Sequence, residues 1–160
     1  MQIEPSAATF AARYAAGDAQ VVWTTLVADL ETPVSAFLKI AGGRPMSFLL
    51  ESVEGGEVRG RYSIIGLEPD VIFRSDGAAA EINRTPLNNP EAFAPAGAPL
   101  QALRALIAES RIALPDTLPP MAAGVFGYLG YDTVRLMEDT LGEPPPDPIE
   151  IPEAILLRPT

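Results

Sequence analysis

Val71-Ile72-Phe73-Arg74-Ser75-Asp76-Gly77-Ala78-Ala79-Ala80-Glu81-Ile82-Asn83-Arg84 decides the fold class. A β-branched and aromatic run, a tight-turn dipeptide at Asp76-Gly77 and a second strand-like run predict a β-hairpin over Val71–Ser75 and Ala78–Arg84. Upstream, Met46–Ser52 and Tyr62–Leu67 are two more short apolar runs, separated by Gly55-Gly56. The first reads as a buried strand and the second as a further strand. Val21–Val27 is β-branched and aromatic and reads as another strand. Helical signals lie between and beyond these runs. Ser6 can cap a helix through Ala16 that stops at Gly17, and Thr32-Pro33 starts a second one running to about Ala41 before Gly42-Gly43. Pro99 starts a third, with Leu100, Leu103, Leu106 and Ile107 on one face. Thr85–Pro99 and Leu141–Pro152 are proline-rich and read as a surface linker and an irregular segment. Asp132 is placed to cap a short helix over Thr133–Thr140. Ala154–Leu157 opens an apolar strand that stops at Arg158-Pro159-Thr160, which reads as a cut chain. Strands mix with helices without strict βαβ alternation, so the expected class is α+β, a largely antiparallel sheet packed with helices.

Composition removes much chemistry. The 160 residues include no His and no Cys, which excludes Ser-His-Asp and Cys-His triads, disulfides, Fe–S clusters and ordinary zinc sites. Lys39 is the one lysine, beside ten arginines. Eleven basic against 21 acidic residues give a net charge of −10, which argues against nucleic-acid and anionic-membrane partners. At 48% hydrophobic residues the chain can bury a core, and no run approaches the length needed to cross a bilayer. The acidic N-terminus lacks the pattern of a signal peptide, so the expected compartment is the cytoplasm.

Gly124-x-x-Gly127-x-x-Gly130 does not have the spacing of a dinucleotide-binding loop and reads as a strand whose glycines allow close packing. Asp132, Arg135 and Glu138-Asp139 read as a solvated helix face, and Glu68, Asp70 and Asp76 as scattered surface charge. The segment Leu49-Leu50-Glu51-Ser52 differs, because a carboxylate and a hydroxyl end an apolar strand. Arg61-Tyr62-Ser63-Ile64-Ile65-Gly66 is a second polar cluster entering an apolar run. If the two segments pair, they supply an anion, a cation, hydroxyls and an apolar wall, which are the groups a zwitterionic amino acid needs. A plain strand-end ion pair between Glu51 and Arg61 explains the same residues.

The stretch FLLESVEGGEVRGRYSIIG closely resembles the N-terminal region of anthranilate synthase component I, a chorismate-utilising family of tryptophan biosynthesis. GVFGYLGYDTVRLME and the proline-rich run into EAILLRP resemble it too, so the resemblance covers most of the chain, from Trp23 or earlier to Thr160. It implies that residues 1–160 form a regulatory N-terminal domain within a two-domain α/β sandwich. The chorismate-binding catalytic domain is then expected after residue 160, with its Mg²⁺, so this chain carries no catalytic residue and no cofactor. The implied role is feedback inhibition by L-tryptophan, with Leu50, Glu51, Ser52, Arg61, Tyr62, Ser63 and Ile64 lining one side of the effector pocket. The implied partners are the C-terminal region and a glutamine amidotransferase subunit. Self-association of the fragment is expected through surface the missing region would cover. Aminodeoxychorismate synthase component I shares weaker versions of both motifs. A purely structural or subunit-docking domain with no effector site is the alternative of another kind.

Overall fold

The computed structural model describes residues 2–51, 62–142, 144 and 149–160. Its helices are α1 (Ala7–Ala16), α2 (Pro33–Ala41) and α3 (Pro99–Glu109). Its strands are β1 (Phe48–Glu51), β2 (Ser63–Gly66), β3 (Val71–Asp76), β4 (Ala79–Asn83), β5 (Ala94–Gly97), β6 (Phe126–Leu129) and β7 (Ala154–Arg158). β1 and β2 form a two-stranded sheet, and the others form a five-stranded sheet in the order β5-β4-β3-β7-β6. Every neighbouring pair is antiparallel, so the fold is α+β as the sequence predicts.

The hairpin forms with Asp76 opposite Ala79, so its two-residue loop is Gly77-Ala78, one step later than the dipeptide suggests. Gly77 takes φ +53° at the first loop position, where a two-residue hairpin favours glycine. β3 then lies between β4 and β7 and is buried on both faces, with Ile72 and Phe73 each 1% exposed. α3 packs on β4 and β5. Its Ala102 and Leu106 close a core with Val71, Phe73, Ala80 and Ala154, and Leu103 lies against it. Ile107, expected on that face, is 44% exposed because the helix turns its Ala102–Leu106 side to the sheet.

The helix ends follow their caps. Ser6 Oγ accepts from the Thr9 N–H at 3.3 Å, and Gly17 closes α1 in the left-handed conformation. Thr32 and Ser35 form a reciprocal capping box at 3.1 and 2.9 Å, with Pro33 at the first helical position.

Four expectations change. Val21–Val27 is not a strand: among the described residues only Trp23 pairs, in an isolated bridge to Glu4, while Val22, Leu26 and Val27 are exposed. β propensity needs a partner edge to act on, and among the described residues none runs beside this segment. Thr85–Pro99 is not all linker, because Ala94–Gly97 adds β5 to the edge of β4. Pro95 is tolerated there because an edge strand need not donate on its outer side. The buried Asn83 organises the loop before it: its Nδ2 donates to the carbonyls of Asn89 and Pro90, and its Oδ1 accepts from the Thr85 N–H. Asp132 caps nothing; Tyr131–Leu136 is a 3₁₀ segment entered from Gly130. Asp132 pairs instead with Arg135 at 2.8 Å, and Arg135 also donates to the carbonyls of Leu141 and Gly142. Finally, β7 continues through Arg158, one residue past the Ala154–Leu157 expected. It is a central strand registered with β3 along all five residues and with β6 along four.

No helix among the described residues is long and apolar enough to cross a membrane.

Candidate functional site

β1 and β2 pair antiparallel, as the two motif segments must if they are to share a site. Phe48 lies opposite Gly66, Leu50 opposite Ile64, and Glu51 opposite Ser63. Paired residues share a face and successive ones alternate. Leu50 and Ile64 therefore share the face of Phe48, while Glu51 and Ser63 share the other with Leu49 and Ile65. The pleat thus divides the candidate residues between two faces.

Glycine at 66 is what lets Phe48 fold down onto the sheet, since a Cβ there would overlap the Phe48 ring. That ring packs on Phe126 of β6 with centroids 5.5 Å apart, tying the small sheet to the large one. The glycines of the later motif act in the same region. A Cβ at Gly127 would overlap the carbonyl oxygen of Ile155, and one at Gly130 would lie 2.9 Å from that of Glu153. The reading of these glycines as close-packing positions holds for Gly127 and Gly130. Gly124 has only the Phe126 ring within 4.0 Å.

Where the two sheets meet, a cleft of about 280 Å³ is lined by Tyr62, Ser63, Ile64 and Ile65, facing Pro119, Met121, Ala122, Phe126 and Pro159. Three of the candidate effector residues, Tyr62, Ser63 and Ile64, are therefore brought together. Leu50 and Glu51 do not line the cleft. They are exposed on the adjacent strand, opposite Ile64 and Ser63. Ser52 and Arg61 lie outside the described residues, as does any ion pair between Glu51 and Arg61. The cleft wall missed in the sequence comes from Phe126 and Pro159. Both fall in motifs the resemblance singles out, but their approach to β2 is tertiary and leaves no local signal.

A second cavity of about 600 Å³ shares Ala122, Phe126 and Pro159 with this cleft and opens toward Gln20, Val22, Asp70, Glu109, Ser110 and Arg158. Its polar end is an ion-pair network. Asp70, read from sequence as scattered surface charge, accepts two hydrogen bonds from Arg158, each at 2.7 Å. Glu109 is bound by both terminal nitrogens of Arg84, at 2.7 and 2.9 Å. The Arg84 guanidinium holds the Glu109 carboxyl below the usual carboxylate range, and the Asp70 carboxylate raises Arg158 above the ordinary arginine value. Among the described residues no group of three or more Asp or Glu side chains could hold a metal ion.

No family model matches the chain. Individual relatives do. It is 52% identical over 153 residues to anthranilate synthase component 1 of Cereibacter sphaeroides, covering 95% of this chain and 30% of that protein. It is 38% identical to the protein of the same name from Synechocystis, covering 86% of this chain and 26% of the relative. The Thermus thermophilus protein of that name is also 38% identical, over 84% of this chain and 27% of the relative. The chain is thus a homologue of anthranilate synthase component 1 along nearly all of its own length, and spans about 30% of the length of the Cereibacter relative.

Proposed function

We propose that the chain is the tryptophan-sensing N-terminal part of a longer, cytoplasmic anthranilate synthase component I. The longer protein forms anthranilate and pyruvate from chorismate, with ammonia supplied by a glutamine amidotransferase subunit. Chorismate and Mg²⁺ are held by the C-terminal part, so residues 1–160 contribute control rather than catalysis. The supporting observation is the β1–β2 pairing beside a cleft lined by Tyr62, Ser63 and Ile64. Glu51, on the strand beside the cleft and opposite Ser63, supplies a carboxylate for the effector's ammonium by resemblance. The Tyr62 and Ser63 hydroxyls offer polar partners, and Ile64 with Phe126 offers an apolar wall for the indole. Ser52 and Arg61 join the set by resemblance. Tryptophan bound here would act by favouring one arrangement of the two parts, which requires a coupling of about 1–3 kcal/mol between effector and chorismate sites.

A docking role has its own support. Leu30 is 98% exposed, Val27 87% and Leu38 68%. Such apolar side chains suit a surface covered by the remainder of a longer protein, and would drive a fragment to self-associate.

Product analysis tests the enzymatic branch. Full-length protein given chorismate, Mg²⁺ and ammonia is expected to release fluorescent anthranilate together with pyruvate. Formation of 4-amino-4-deoxychorismate without pyruvate would move the protein to aminodeoxychorismate synthase component I.

A further inference from the structure

Arg158 closes β7 and is tied to the connection that leaves β2. Its Nε donates to Asp70 Oδ1 and its Nη2 to Asp70 Oδ2, both at 2.7 Å. Its Nη1 donates to Ser110 Oγ at 2.9 Å and lies 3.8 Å from Glu109. The backbones are joined as well, since the Asp70 N–H donates to the Arg158 carbonyl at 3.1 Å. Two residues on, the Thr160 N–H donates to the Leu67 carbonyl at 3.3 Å, and its hydroxyl donates to the Glu68 carbonyl at 2.8 Å. Residues 158–160 therefore run as a seam along residues 67–70.

That seam touches the candidate cleft at both sides. Leu67–Asp70 directly follows β2, whose Ser63, Ile64 and Ile65 form one wall, and Pro159 of the seam lines the same cleft. Within the seam Glu68 holds φ +45°, a left-handed conformation that costs energy for a residue with a side chain. Its carbonyl is anchored by Thr160 and its carboxylate by Arg44 at 2.9 Å. A bidentate guanidinium–carboxylate pair fixes orientation as well as distance. The seam therefore joins the segment that follows the β2 wall to Pro159 and Thr160, which follow β7.

We propose that Asp70 and Arg158 are positioning residues for the effector cleft, coupling its occupancy to the path of the chain beyond β7. The proposal rests on the tryptophan-sensing reading above and adds the route by which binding would be transmitted. Neither side chain lines the cleft itself.

The test uses the full-length protein with Arg158→Met, Asp70→Asn, the pair combined, and Arg158→Lys, which keeps the charge but loses the fork. In Arg158→Met and Asp70→Asn, the tryptophan concentration for half-inhibition is expected to rise about tenfold, within the usual range of allosteric coupling. The combined variant should not exceed Arg158→Met, because that change already removes the contact with Asp70. Arg158→Lys should fall between wild type and Arg158→Met. Ammonia-dependent kcat without tryptophan should stay within about twofold throughout, given that coupling rather than chemistry is altered. Half-inhibition unchanged in either single variant would overturn the proposal. So would a kcat that falls in step with the loss of inhibition, which marks a merely structural pair. An unmutated protein that ignores tryptophan would instead remove the sensing reading itself, and the coupling route with it.

Discussion

Phe73→Ala is expected to destabilise the fold by about 3–5 kcal/mol, the usual cost of truncating a fully buried phenylalanine. Phe73 is 1% exposed on the central strand β3, opposite Ile82 of β4 and Leu156 of β7. Its core neighbours are Val71, Ala80, Ala102, Leu106 and Ala154. Three of these five side chains are alanines, too small to move into the space left behind, so the cavity term should persist. For a domain of this size the loss corresponds to a fall in Tm of roughly 10 °C. Calorimetric or circular-dichroism melting checks it, and a shift under about 3 °C would show that the sheet does not depend on this core.

The second large effect concerns the effector. In the full-length protein, Glu51→Ala is expected to weaken L-tryptophan binding about 10- to 100-fold, the range for losing a hydrogen bond to a charged group. Glu51 is the last described residue of β1 and stands opposite Ser63, which lines the cleft. Removing its carboxylate leaves the ammonium without its anion but does not disturb the core, because Glu51 is exposed. Titration calorimetry with L-tryptophan reads the affinity directly. Unaltered affinity would return Glu51 to an ordinary strand-end residue and shift the site to the cleft residues of β2 alone.

The parts of the fold legible in the sequence are those decided locally. Ser6, Thr32-Pro33 and Gly17 mark helix ends through contacts three or four residues away, and the structure places the caps at those residues. The β3–β4 hairpin is likewise a short-range object, with only its turn displaced by one residue. Val21–Val27 has the composition of a strand, but no edge among the described residues is there for it to join. β5 was hidden by prolines that forbid an inner strand yet suit an outer one. Asp132 resembles a cap, but Arg135 competes for its carboxylate.

The site divides in the same way. The two apolar runs Leu49–Glu51 and Ser63–Ile65 are legible as neighbouring segments, and their antiparallel pairing is seen in the structure. The opposite wall, Phe126 and Pro159, arrives from 60 to 95 residues further along and is fixed by sheet order rather than by any motif. Alternation also divides Leu50 from Glu51, which a linear motif presents as a unit.

The proposed role of this chain is to sense tryptophan on behalf of an anthranilate-forming enzyme. Anthranilate fluorescence from full-length protein, chorismate, Mg²⁺ and ammonia, followed as L-tryptophan is added, tests it most directly. A saturable fall in the rate of anthranilate formation is expected. Anthranilate formed at an undiminished rate under saturating tryptophan would contradict it.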